Sequence, residues 1–254
     1  SHSELLDHLT LRFMQEGWSI KQLIRELVLS RTYRQSSEHR EAAFLQDPDN
    51  RLLWRAAKRR LSAEELRDAM LVVSGEIDLQ RPVGSLVGRV IGDRPISLIG
   101  LDKRLPSDLD GAVHRSVYLP VIRDRLPDVL DLFDFAEPSL VTGQRETTTV
   151  PTQALYLMNS DFVQDRAEAL ATRLLRQTAD DVERIRMGFQ WCYNRLPDPL
   201  EEQRCQEFLT AMDFDAASKT EPSVTSDSAG DSPPMKWTSF CQALLSTAEF
   251  QYLD

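Results

Sequence analysis

The sequence has few of the residues that build metal, haem or disulfide sites. It contains three cysteines and four histidines, and neither a CxxC nor a CxxCH motif is present. No histidine stands at the spacing from a cysteine that zinc ligands require. We therefore expect no metal and no cofactor in this chain. We expect Cys192, Cys205 and Cys241 to be buried free thiols, because all three fall in apolar helical patterns, and a Cys192–Cys205 disulfide is the alternative.

Long apolar runs and phosphate-binding motifs are also missing. No stretch of about eighteen apolar residues occurs, and the opening residues SHSELLDHL lack the regions of a signal peptide. We therefore expect neither a membrane span nor a signal peptide in this sequence, and a signal already cleaved or a large upstream region is the alternative. Gly84, Gly88 and Gly92 fall at every fourth position, but no Lys-Ser/Thr pair follows them and no GxGxxG is present. This pattern disfavours a nucleotide phosphate site.

Basic residues are outnumbered by acidic ones. The 40 Asp and Glu residues against 30 Lys and Arg give a net charge of −10. Because duplex nucleic acid is bound by concentrated positive charge, we expect no nucleic-acid partner. The basic stretch 51–60 is the exception. Its apolar positions follow Asp47-Pro48 at helical spacing, which predicts an amphipathic helix whose cations are solvated or paired with the acids of 124–137.

Helical periodicity dominates the rest of the chain, which has 41% apolar residues and can bury a substantial core. Capping-box patterns at Ser19 and Ser62 mark helix starts, and Gly17 and Gly75 mark helix ends. The predicted helices cover residues 5–13, 20–30, 62–74, 126–133, 152–158, 161–177, 181–194, 199–212 and 236–250.

These patterns predict an all-α, mainly helical fold, an irregular multi-helix bundle with a Gly/Pro-rich loop region and at most short β pieces. The whole chain, 1–254, is predicted to form a single helical domain. Residues 76–111 hold five of the ten glycines and predict irregular loops. Residues 213–235, rich in Ser, Asp, Ala and Pro, predict a mobile loop. Residues 113–122 alternate enough to predict a short extended segment or strand.

The stretch GQRETTTVPTQALYLMNSDFV, residues 143–163, holds the main candidate site. Residues 149–151 make a good helix entry, because proline and threonine both suit the first turn. The four polar residues before them are not explained by capping. They predict either a cluster that binds an anion, a carboxylate or sugar hydroxyls, or an internal network in which Arg145 and Glu146 form a salt bridge. These four residues are Arg145, Glu146, Thr147 and Thr148.

The extended segment supplies three further polar side chains. His114 could act as a general base only beside a positioned partner, which no spacing in the sequence provides, so it is predicted to lie at the surface or the edge of the core. Arg115 is predicted to bind a carboxylate and, with the phenol of Tyr118, is assigned to the candidate cluster. No nucleophile elbow, metal dyad or catalytic triad is present by spacing.

Several long blocks resemble one family. They include GWSIKQLIRELVLSRTYRQSS, DPDNRLLWRAAKRRLSAEELRDAML, HRSVYLPVIRD, LFDFAEPSLVTGQRETTTVPTQALYLMNSDFV and the closing WTSFCQALLSTAEFQYLD. Essentially end to end, the chain resembles the C-terminal domain of unknown function of large secreted planctomycete-type proteins that often also carry a cytochrome-c-like domain. The resemblance implies export to the periplasm or cell envelope, and as partners other domains of a larger chain, including a c-type cytochrome domain. It implies no activity.

Two classes of function are consistent with these observations. The first is a non-catalytic helical scaffold or binding module of an exported multidomain protein. The second is an enzyme domain that acts on a glycan or a related envelope polymer. The second class requires a carboxylate such as Glu146 to converge with Arg115, Tyr118 or Arg145 in one cleft.

Overall fold

The computed structural model describes residues 2–84, 111–119, 121, 126–218 and 233–253. The chain divides into two compact units, Ser1–Arg60 with Tyr252–Asp254, and Leu61–Gln251, and each is described by itself. The described residues are mainly helical and contain one two-stranded sheet, which confirms the predicted fold class. The single domain over 1–254 stays a prediction.

The N-terminal unit, Ser1–Arg60 with Tyr252–Asp254, begins with two amphipathic helices. The Ser19 hydroxyl accepts from the Gln22 N–H at 3.3 Å, as the capping pattern predicts, and Gly17 has a φ of +74° between the helices. Arg12 of the first helix pairs with Glu26 of the second at 2.6 Å. The elements are α1 (Ser3–Gln15), α2 (Ile20–Leu29), α3 (Glu41–Phe44) and β1 (Arg59–Arg60), which pairs antiparallel with β2 (Tyr252–Leu253).

The helix predicted over the basic stretch 51–60 is wrong. The Asp47 carboxylate accepts from the backbone N–H groups of Arg51 at 3.0 Å and Leu52 at 2.7 Å, so it closes a turn in place of a helix. Asn50 and Leu53 have φ values of +53° and +56°, which a right-handed helix excludes. The stretch therefore forms turns and ends in β1.

The C-terminal unit, Leu61–Gln251, shows how local signals set helix boundaries. Ser62 and Glu65 form the predicted capping box, and Gly75 ends the helix at a φ of +82°. The elements are α4 (Ala63–Ser74), a 3-10 turn (Ser116–Tyr118), α5 (Asp128–Leu132), α6 (Pro151–Asn159), α7 (Asp161–Gln177), α8 (Asp181–Tyr193), α9 (Pro199–Ser218), α10 (Met235–Ser246) and α11 (Ala248–Gln251).

The core of this unit lies where α7 and α10 pack together, with α4, α6 and α8 around them. Leu170 and Leu174 of α7 are fully buried, as is Leu245 of α10. Trp237 of α10 is 1% exposed. Apolar side chains at helical spacing thus form the buried faces that the sequence predicts.

Several predicted boundaries differ from the structure. α9 continues to Ser218, so the first part of the predicted mobile loop is helical, and residues 219–232 lie outside the described residues. The predicted helix 236–250 breaks at Thr247, whose hydroxyl accepts from the Phe250 N–H at 3.2 Å, and Ala248 is exposed. The helices at 126–133 and 181–194 are slightly shorter than predicted.

The extended segment is only partly confirmed. An isolated parallel bridge joins Asp78 and His114, and the chain then forms the 3-10 turn instead of a strand. Of the predicted loop region 76–111, residues 76–84 are irregular, as predicted. Residues 85–110 lie outside the described residues.

Candidate functional site

Arg145 is joined to the first turn of α4. Its two Nη atoms each donate to one carboxylate oxygen of Glu64 at 2.8 Å, and its guanidinium carbon lies 4.9 Å from the Phe135 ring centroid. Partial burial is the largest single effect and raises the pKa of Glu64. The hydrogen bonds and charge of Arg145, together with hydrogen bonds from the Glu64 backbone and from Ser62, lower it by more in sum, so the pKa lies below its ordinary value. The predicted Arg145–Glu146 salt bridge is therefore wrong. Glu146 is exposed, and no described residue pairs with it.

Thr148 fixes the entry to α6. Its N–H and its hydroxyl donate to the two carboxylate oxygens of Asp134 at 2.8 and 2.7 Å. The buried Gln153 amide donates to the Leu132 carbonyl at 2.9 Å, which ties the first turn of α6 to the end of α5. Thr147, the neighbour of Thr148, is exposed. Thr148 thus takes part in a network that holds a loop to the core.

A fully buried arginine holds the segment before the 3-10 turn. Arg67 of α4 donates to the carbonyls of Ala112 and His114, the latter at 2.9 Å, and to the Ser116 hydroxyl at 3.3 Å. Asp68, the next residue, accepts from the Ser116 N–H and hydroxyl, both at 2.7 Å. α4 therefore binds residues 112–116 through two adjacent charged side chains.

Arg115 belongs to this segment, and Tyr118 ends the 3-10 turn that follows it. The Nε atom of Arg115 is 3.8 Å from the second carboxylate oxygen of Asp68, and half of its side chain is exposed. Tyr118 is half-buried. No described hydrogen bond or ion pair joins Arg115 or Tyr118 to residues 145–148. The grouping of all six predicted residues into one site stays a prediction.

The structure gives His114 the partner that spacing does not provide. Its Nδ1 atom lies 3.2 Å from a carboxylate oxygen of Asp78, and 20% of the His114 side chain is exposed. Nearby in sequence, Glu76 approaches Nε of Arg166 at 2.7 Å, and Arg166 is 7% exposed. The contact is electrostatic, because Nδ1 of His114 forms no hydrogen bond with any described residue.

Neither thiol nor metal chemistry is favoured by the described residues. All three cysteines are free, as predicted. Cys241 is buried, whereas Cys192 and Cys205 are half-buried, so the predicted burial is wrong for these two. Burial raises the pKa of Cys192 to about 12 and that of Cys205 to about 11, so both stay protonated near neutral pH. Within the described ranges, no group of three or more His, Cys, Asp or Glu side chains could hold a metal ion.

We expect the Arg145–Glu64 pair to contribute little to stability. Arg145→Ala and Glu64→Gln should each lower the free energy of unfolding by about 1 kcal/mol or less, because the Arg145 side chain is 41% exposed and water screens the pair. A double-variant cycle, measured by urea unfolding, isolates the coupling between the two side chains.

The pH dependence of this coupling gives a second check. The folded-state pKa of Glu64 is lowered, so the coupling is fully present above its unfolded pKa and is lost as pH falls through the folded pKa. Glu146→Gln is the control and should leave stability unchanged. A coupling that persists in strong acid, or an equal loss in Glu146→Gln, would show that the pair is wrongly identified.

Comparison with known proteins gives a family and no activity. Among the described residues, every helix is too short or too polar to span a lipid bilayer. No curated protein and no solved structure matches the chain. One family model matches residues 1–209, so the closing block near the C-terminus lies beyond the matched range. The chain belongs to the family described as PSD1, protein of unknown function (DUF1553).

Proposed function

We propose that the chain is a non-catalytic helical binding and scaffolding module of an exported multidomain protein. The observation that carries this proposal is the surface of residues 2–60. Fifteen of the exposed large apolar side chains lie there, and none of the described buried apolar side chains does. Soluble proteins rarely leave so much apolar surface uncovered unless it binds a partner.

The apolar face of α2 is the most regular part of this surface. Ile20, Ile24, Leu27 and Val28 follow helical spacing and are 67%, 53%, 42% and 37% exposed. An amphipathic helix with an uncovered apolar face is a common element for docking to a protein groove. We call these four side chains the α2 face.

The charge of the same region indicates what kind of partner fits. Residues 1–60 carry eleven Lys and Arg against eight Asp and Glu, a net charge of +3, whereas residues 61–254 carry 19 against 32, a net charge of −13. Lys21 and Arg25 of α2, and Arg31 and Arg34 after it, have no carboxylate partner in the described part of the chain. A protein surface with an apolar patch and carboxylates around it would complement both the α2 face and these cations.

The proposed partner is another domain of a longer chain, and a c-type cytochrome domain is the specific candidate. The proposed location is the periplasm or cell envelope. Both proposals are supported by the resemblance described above. The engagement of Arg145, Thr148 and Arg115 with carboxylates of the C-terminal unit also favours a binding module over a catalytic one.

Site-specific photo-crosslinking tests this function. A benzophenone side chain at position 24 or 27, in cells that produce the natural protein, should crosslink to one discrete protein surface, either in the same chain or in a partner. The control position is Gln22, which is exposed on the same helix. Ile24→Ser should remove the crosslink from position 27 without lowering the melting temperature, because Ile24 is half exposed.

The results separate a docking face from its alternatives. Adducts to lipid alone, or equal yields from positions 22 and 24, would contradict a protein-docking face. A large fall in melting temperature for Ile24→Ser would make the α2 face part of the folded core instead.

The Asp78–His114 pair supports a second candidate, an enzyme domain that acts on a glycan or a related envelope polymer. In this alternative, Nε2 of His114 accepts the proton of an attacking group, and the Asp78 carboxylate, 3.2 Å from Nδ1, stabilises the imidazolium that results. Turnover of such a polymer by the parent chain and its loss in His114→Gln would favour the enzyme over the binding module.

A further inference from the structure

A groove of about 640 Å³ lies in the C-terminal unit, and none of the six predicted site residues lines it. One wall is the C-terminal end of α4 with the turn at Gly75, and the other is the second half of α7. Its volume falls within the range of roughly 300–1,000 Å³ that is typical of small-molecule sites.

Helix geometry explains why α7 lines this groove with polar groups. Glu168, Thr172 and Arg176 are spaced four residues apart, so they form one ridge, and Arg173 belongs to the adjacent ridge. At Gly75 a Cβ atom would lie 3.3 Å from the Arg173 Cδ atom. A side chain at position 75 would therefore require the Arg173 side chain to move by a few tenths of an ångström.

Arg173 is held in one position by neutral groups. Its Nη1 donates to the carbonyls of Val72 at 3.2 Å and Val73 at 2.8 Å, and its guanidinium carbon lies 4.1 Å from the Trp191 ring centroid. No described carboxylate pairs with it, and its Nε and Nη2 have no described hydrogen-bond partner. Arg195, in contrast, is bound by the carboxylates of both Glu201 and Glu249.

A guanidinium that is fixed in place and keeps unused donors is suited to a carboxylate. The charges that line the groove are Arg173, Arg176, Glu76 and Glu168. Glu76 is already paired with the buried Arg166 at 2.7 Å. Glu168 and Thr172 remain as partners for ligand hydroxyls.

We propose that this groove binds a small hydroxylated carboxylate, with the carboxylate on Arg173 and the hydroxyls on Glu168 and Thr172. This inference is independent of the docking function proposed for the N-terminal unit. If D-glucuronate does not bind the groove, the docking proposal is unaffected, and the reverse also holds, because the α2 face and the groove lie in different units.

The test uses the full chain labelled with 5-fluorotryptophan, with the ¹⁹F resonance of Trp191 as the local probe and Trp191→Phe to assign it. D-glucuronate is the probe ligand, D-glucose lacks its carboxylate, and acetate lacks its hydroxyls. D-glucuronate should shift the Trp191 resonance saturably and bind at least about tenfold more tightly than either control, because it alone makes both sets of contacts.

Variants assign the binding to named side chains. Arg173→Lys keeps the charge, loses the planar pair of donors and should weaken D-glucuronate binding about tenfold. Glu168→Gln and Thr172→Val should each weaken it less, and Glu183→Gln, an exposed carboxylate on α8, should leave it unchanged. If Arg173→Lys fails to fold, weaker D-glucuronate binding by the Glu168 and Thr172 variants tests the proposal instead. The proposal is overturned if D-glucuronate leaves the Trp191 resonance unchanged, if D-glucose or acetate binds equally well, or if no groove variant weakens binding.

Discussion

Trp237→Ala should destabilise the C-terminal unit by roughly 3–5 kcal/mol, the usual cost of deleting a large buried aromatic side chain. Trp237 is 1% exposed, packs edge-on against Phe240 at 5.5 Å, and receives the guanidinium of Arg184 at 5.5 Å from its ring centroid. Its removal leaves a cavity on the buried face of α10, and Arg184 loses its cation–π contact.

Far-UV circular dichroism is the suitable measurement, because it does not depend on tryptophan emission. For a unit of this size the loss corresponds to a fall in melting temperature of roughly 6–20 °C. Met235→Ala is the matched control on the same helix. Met235 is 78% exposed, so its removal should change stability by less than about 0.5 kcal/mol. Equal melting temperatures for the two variants would show that α10 is not part of the core.

The parts of the fold that the sequence predicts are those set by neighbouring residues. Ser62 and Glu65 lie three residues apart and define the start of α4 through two reciprocal hydrogen bonds, and Gly75 defines its end. The buried face of α10 follows from apolar spacing alone, with Trp237, Phe240 and Leu244 correctly assigned. These features need no knowledge of distant parts of the chain.

The errors occur where a side chain or a distant residue competes with the local pattern. The stretch after Asp47-Pro48 has helical spacing, but the Asp47 carboxylate binds two backbone N–H groups and the chain turns. At the end of α10 the Thr247 hydroxyl accepts from the Phe250 N–H, and the Tyr193 hydroxyl also bonds to the Leu244 carbonyl at 3.0 Å and to the Thr247 hydroxyl at 2.9 Å. Tyr193 is more than fifty residues away, so spacing along the helix could not reveal this contact.

The same limit applies to the candidate site. The partner of Arg145 is Glu64, 81 residues earlier, and the partner of Thr148 is Asp134. In the sequence Glu64 is fully explained as a first-turn acid of α4, so nothing marks it as the partner of a distant arginine. Arg67 likewise sits among apolar residues of an amphipathic helix, and its burial depends on the return of residues 112–116.

Arg67→Met should destabilise the C-terminal unit by roughly 3–5 kcal/mol, although it replaces a charged side chain with an apolar one of similar length. Arg67 is 0% exposed and donates to the carbonyls of Ala112 and His114 and to the Ser116 hydroxyl. Methionine fills the space but has no donor, so these buried acceptors lose their partner. Asp68, 3.8 Å from Arg67, also loses one of its two neighbouring cations.

The matched control is Arg115→Ala, which removes the other arginine beside Asp68. Arg115 is half exposed and 3.8 Å from the carboxylate, so its loss should cost no more than about 1 kcal/mol. Urea unfolding measures both losses, and hydrogen exchange at the Ser116 amide reports whether residues 112–116 detach, since this N–H donates to Asp68 at 2.7 Å. We expect fast exchange at Ser116 in Arg67→Met and nearly unchanged exchange in Arg115→Ala. If Arg67→Met unfolds at the same urea concentration as the parent chain, the buried arginine is not what holds this segment to α4. In that case the Asp68–Ser116 hydrogen bonds hold the segment without it.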